Sequence, residues 1–99
     1  MEYKVTAKEE NINCHGLSFL CVFGEHINGG YVAILNWGVA AELSSHHNEL
    51  DYNRKRILEA LERSPYVSYL PSDEKTRSAV ARDLAMMIGE RIVEMKSQL

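Results

Sequence analysis

The chain has 99 residues, of which 45% are hydrophobic and 25% are charged. That mixture belongs to one small globular domain, here residues 1–99, and argues against a disordered chain or a coiled-coil rod. The net charge of −3 comes from 11 basic and 14 acidic side chains, far from the basic field that nucleic-acid binding requires.

The charge is unevenly spread. Residues 1–50 hold two basic side chains and six acidic ones, whereas residues 51–99 hold nine and eight. No apolar run approaches the roughly 20 residues of a membrane span, and no basic start followed by an apolar stretch reads as a secretion signal. The expectation is a cytoplasmic protein without a membrane partner, with Cys14 and Cys21 as free thiols.

In residues 2–8, Tyr3, Val5 and Ala7 alternate with Glu2, Lys4, Thr6 and Lys8. Period two with one charged face predicts a half-exposed edge strand. Residues 9–16 are polar and turn-rich and read as a loop. Residues 17–27 and 31–37 read as a hairpin around Asn28-Gly29, the pair that suits a type I′ turn because both central residues need positive φ. A two-residue turn there sets Phe23 opposite Ile34 and Val22 opposite Leu35. Both faces of that hairpin are apolar, so it should be central in its sheet and covered on both sides. Residues 39–44 fit a further strand better than a helical turn.

Residues 49–63 read as a helix with Leu50, Ile57, Leu58 and Leu61 on one stripe and Asn48 or Asp51 at its start. Asp51, Lys55, Glu59 and Arg63 follow at intervals of four as a solvated ladder. Ser64-Pro65 ends the helix, and residues 66–71 form an extended connector with two tyrosines. Residues 73–97 read as a long helix capped by Ser72 or Asp73, with Val80, Leu84, Met87, Ile88, Ile92 and Met95 on its apolar stripe. At 1.5 Å per residue it is about 37 Å long, so its last turns should overhang the domain. Strands first and helices last predict an α+β fold. A three- to four-stranded antiparallel sheet is followed by two helices, the last one long. If both helices share one sheet face, the other apolar face needs a second copy or another protein.

Chemical motifs are sparse. Cys14, His15, Cys21, His26, His46 and His47 lack the close pairs of a zinc site, so no metal and no cofactor is expected. Cys14-His15 lies among acidic neighbours that would raise a thiol's pKa, and adjacency in sequence does not make a catalytic dyad. Glu25 and Glu42 read as solvated carboxylates. Gly29-Gly30 lacks the lysine and helix start of a phosphate loop. No catalytic residue is assigned, and a non-enzymatic role is expected.

Tyrosine and tryptophan are enriched at interface hot spots. The expected partner-binding residues are therefore Tyr31, Trp37, Tyr66 and Tyr69, with Arg54 and Lys55 from the basic cluster that opens the first helix. The alternative is a small-ligand pocket, or a small enzyme, between the sheet and the connector at residues 66–70.

The stretch Phe23 to Leu43 combines Phe23-Gly24, Asn28-Gly29 and Asn36-Trp37-Gly38. It resembles a segment of small uncharacterised proteins carried on bacterial mobile elements and phages. The resemblance implies no catalytic residue. It implies a setting in which small proteins bind and block a host protein, as anti-CRISPR proteins block defence nucleases. The functional expectation is thus a protein-interaction module that works by occlusion, as a homodimer or on a protein partner.

Overall fold

The structure, a computed structural model, describes residues 8–25, 31–43 and 49–97. Among the described residues, four strands form one antiparallel sheet in the order β1-β2-β3-β4: β1 (Lys8–Cys14), β2 (Leu17–Glu25), β3 (Tyr31–Asn36) and β4 (Ala40–Leu43). Two helices follow, α1 (Leu50–Arg63) and α2 (Glu74–Ser97), joined through a short 3₁₀ turn at Val67–Tyr69. The α+β fold read from the sequence is the observed one, and within the stretch at 39–44 the residues Ala40–Leu43 form a strand.

The first strand departs from expectation. Of residues 2–8, read as a strand, 2–7 lie outside the described residues and Lys8 opens β1. The supposed loop at 9–16 is mostly strand β1. Its pattern is weak because it is an edge strand with only Ile12 and Cys14 buried, two apart, while Asn11 and Asn13 stay exposed. His15 (φ 52) and Gly16 (φ 76) are the two residues between the paired Cys14 and Leu17. A two-residue loop with both φ positive is a type I′ turn. The tightest hairpin of the described chain is therefore closed by His-Gly.

The β2–β3 register also differs. Phe23 pairs with Ala33 and Val22 with Ile34, one residue off the pairing that a two-residue Asn28-Gly29 turn imposes. The last observed pair, Glu25 with Tyr31, leaves five residues between its members, and those lie outside the described chain. A one-residue shift matters in a sheet because it exchanges the two faces.

Both helices cover the same face. Ile12, Cys14, Phe19, Cys21, Phe23, Ala41 and Leu43 form one core with Ile57, Ala60 and Leu61 of α1 and Val80, Ala81, Leu84, Ala85, Ile88 and Ile92 of α2. α1 lies against β4, and α2 reaches β1 and β3. The apolar stripe of α2 stays in the core as far as Ile92, and Val93 and Glu94 after it are exposed. Met87 and Leu50, assigned to the helix stripes, are exposed instead. The opposite sheet face carries half-buried Leu20 and Val22 between exposed Asn11, Asn13 and Ser18.

Caps and ion pairs fix the joints. Asp73 caps α2: its Oδ2 accepts from the Thr76 backbone N–H at 2.9 Å and the Thr76 hydroxyl at 2.6 Å. The start of α1 has Glu49 as its cap residue with no side-chain cap bond, in place of Asn48 or Asp51. Arg91 of α2 grips Glu10 of β1 through two bonds of 2.7 Å. Among the described residues, no helix is long and apolar enough to cross a membrane.

Candidate partner-binding surface

Three of the expected contact residues converge where β3, the end of α1 and the 3₁₀ turn meet. Trp37 leaves β3 half-buried. Its ring centroid lies 5.1 Å from that of Phe19, which is wholly buried, and 5.8 Å from that of Tyr66 in an edge-on arrangement. Tyr66 in turn lies 6.2 Å from Tyr69. The spacings fall in the favourable range for aromatic pairs. The ladder runs outward, with Tyr66 46% and Tyr69 70% exposed.

The connector folds this way because a 3₁₀ turn repeats every three residues. Val67 and Leu70 point to the core, so Tyr66 and Tyr69 share the outer side. Ser64 locks the turn to the sheet. It is buried at the end of α1, donates its hydroxyl to the Trp37 carbonyl at 2.6 Å, and accepts from the Tyr66 backbone N–H at 3.0 Å.

Gly38 makes the close approach possible. Its φ is +78, and a Cβ there would lie 2.9 Å from the Pro65 ring and 3.0 Å from Tyr66 Cε2. Ser64, Pro65 and Gly38 were not among the expected site residues. In sequence Ser64-Pro65 reads only as a helix stop, and nothing local ties it to Gly38.

The other expected residues lie elsewhere. Tyr31 opens β3, and Trp37 follows its far end, about 20 Å away at strand rise. Arg54 gives Nε and a terminal nitrogen to Asp51 Oδ1 at 3.1 and 2.9 Å, and Lys55 lies 3.8 Å from the same carboxylate. Both belong to the first half of α1, whereas the ladder sits past its last residue. The Arg54 bond, chiefly, holds the Asp51 carboxyl below its ordinary value.

The thiols are poorly placed for chemistry. Cys14 is buried and donates to the Val80 carbonyl at 3.9 Å. Burial, then the Asp83 carboxylate, pushes its pKa up. Burial pushes Cys21 up to about 12. A reactive thiol needs the opposite shift. His15 turns away to Asp83, its Nε2 lying 2.8 Å from Oδ2. Among the described residues, no group of three or more histidine, cysteine, aspartate or glutamate side chains is arranged to hold a metal. His26, His46 and His47 lie outside the described residues.

Residues 1–69 match a family whose description reads "Family of unknown function (DUF6618)". The chain belongs to this DUF6618 family. The match takes in the sheet, α1 and the whole aromatic ladder, ends at Tyr69, and leaves α2 outside it. No curated protein and no solved structure matches the chain.

Proposed function

We propose that this DUF6618 protein is a non-enzymatic interaction module that binds a protein partner through the Trp37–Tyr66–Tyr69 ladder. The observation that carries the reading is the exposure of two tyrosines on a turn held rigid from beneath. Tyr69 is 70% exposed, so its ring adds little to the core, yet Ser64, Gly38 and Trp37 fix the turn that presents it. Rigid aromatic rings lose little entropy on binding and supply large contact areas, which is why they recur at hot spots. The basic residues Arg54 and Lys55 serve as rim charges at most, because Asp51 already holds both. The likeness of Phe23–Leu43 to mobile-element and phage proteins supports a narrower form, in which the partner is a host protein and binding blocks it in the anti-CRISPR manner.

Site-directed photo-crosslinking in the native cytoplasm tests the reading. A crosslinker replacing Tyr69 should trap one discrete protein, and Tyr66→Ala in the same chain should abolish the adduct. A crosslinker at exposed Glu62 should trap nothing comparable. Equal labelling from both positions, or no adduct from position 69, would sink the proposal.

A further inference from the structure

α2 carries a second apolar stripe that the fold does not use. Its inner stripe, with Val80, Leu84, Ile88 and Ile92, is at most 1% exposed. Its outer stripe holds Arg82, Met86, Gly89 and Val93 at intervals of four, three and four, the spacing of a helix–helix seam. Met86 is 45% and Val93 54% exposed, and Leu50 from the first turn of α1 extends the patch at 38%. These side chains and Gly89 line an open groove of ≈ 330 Å³.

Gly89 is the telling residue. A Cβ there would meet nothing within 4 Å. The single chain has no steric need for glycine at this point, and glycine is a poor helix former. A gap in a helix surface serves the close approach of a second backbone.

Charge identifies the occupant. Arg82 stands at one end of the stripe, on an adjoining groove that also carries Lys75, Glu74 and the Asp51-bound Arg54. Glu90 stands at the other end, whereas Glu94 beyond it is already held by Arg91 at 3.1 Å. A parallel copy would set like charges together, whereas an antiparallel copy sets each end against its opposite. Arg82 meets Asp83 through Nε at 3.2 Å, and its terminal nitrogens make no other bond among the described residues.

We propose that this stripe is the contact between two copies of the chain, packed antiparallel about a two-fold axis, with Met86 of each copy seated over Gly89 of the other. One patch then serves both copies, as a two-fold interface demands. Arg82 of each copy reaches Glu90 of the other. The patch is small for a permanent dimer, so association depends on concentration. It lies at the opposite end of α1 from the aromatic ladder, and the dimer presents two ladders.

Light scattering on the full chain across a concentration series tests this. The mass should rise from one copy to two. Met86→Arg and Gly89→Leu should hold it at one copy throughout. Gly89→Leu should melt no lower than the parent at dilution, because leucine favours the helix and its Cβ position is open, so loss of the dimer is not loss of the fold. Arg82→Glu should weaken association, and adding Glu90→Arg should restore it. Tyr69→Ala should leave the dimer intact, which separates this contact from the ladder. A single-copy mass at every concentration would overturn the proposal. So would a dimer that survives both Met86→Arg and Gly89→Leu.

Discussion

Arg91 and Glu10 join the last helix to the first strand across 81 positions of sequence. The paired bonds, led by the side-chain hydrogen bond, hold the Glu10 carboxyl below its ordinary 4.5 and raise the guanidinium. A carboxylate depressed in the folded state adds stability above its unfolded value, and that stability is lost as pH falls through the folded value. The pair should therefore contribute fully above pH 4.5 and fade below it. Glu10→Gln should cost about 1 kcal/mol near neutral pH, since the site is partly open to solvent. The difference between the two proteins should shrink in acid, as urea melts at several pH values would show. Gly38 offers a second test. Alanine there must adopt a left-handed φ at about 1–2 kcal/mol and also displace the Pro65 ring. Gly38→Ala should lower the midpoint of unfolding and shift the emission of Trp37, the one tryptophan of the chain. Neither Glu10 nor Gly38 was legible beforehand, because each role depends on a residue far away in sequence. The burial of Cys21 was legible, since it alternates with Phe19 and Phe23 in a local pattern, whereas Cys14 fell in a stretch that reads as a loop.

Local signal also decides which elements can be read from sequence. β2, α1 and α2 each carry several apolar residues at the right period, and they emerge with boundaries close to those observed. β1 carries two. Its identity comes instead from pairing with β2 and from the His15-Gly16 turn, whose φ of 52 and 76 a histidine does not advertise. The β2–β3 register followed the most recognisable turn dipeptide, and the chain pairs one residue away from it. The connector at 66–70 reads as an extended segment that must lie against something. The structure makes it a 3₁₀ turn, which sorts Val67 and Leu70 inward and Tyr66 and Tyr69 outward. The His-Gly turn carries its own prediction. A β-branched residue at Gly16 is a severe misfit at positive φ. Gly16→Val should destabilise the protein by about 2 kcal/mol and speed hydrogen exchange in β1 and the start of β2 before the helices. Exchange that rises uniformly would mean that the hairpin does not open as a unit.

At the scale of the whole molecule, the helix outside the DUF6618 match is the one the sheet cannot do without. Val80, Ala81, Leu84, Ala85, Ile88 and Ile92 make up about a third of the buried hydrophobic core, and each is at most 1% exposed. Cutting the chain after Tyr69 would remove them together with the Glu10–Arg91 and His15–Asp83 ties. Ile12 and Cys14 of β1 would then lose their cover, since α1 lies against β4 and leaves β1 to α2. Burial of a large aliphatic side chain is worth about 1.5–3 kcal/mol, and four such residues, Val80, Leu84, Ile88 and Ile92, go at once. That sum approaches the whole 5–15 kcal/mol that holds a typical small domain together. A chain of residues 1–69 should thus lack a cooperative thermal transition and expose apolar surface to a hydrophobic dye. Supplying residues 70–99 as a separate peptide should restore helical signal and the transition. A stable, cooperatively folding 1–69 fragment would show that the sheet face finds other cover, and that α2 was added to a domain already able to stand alone.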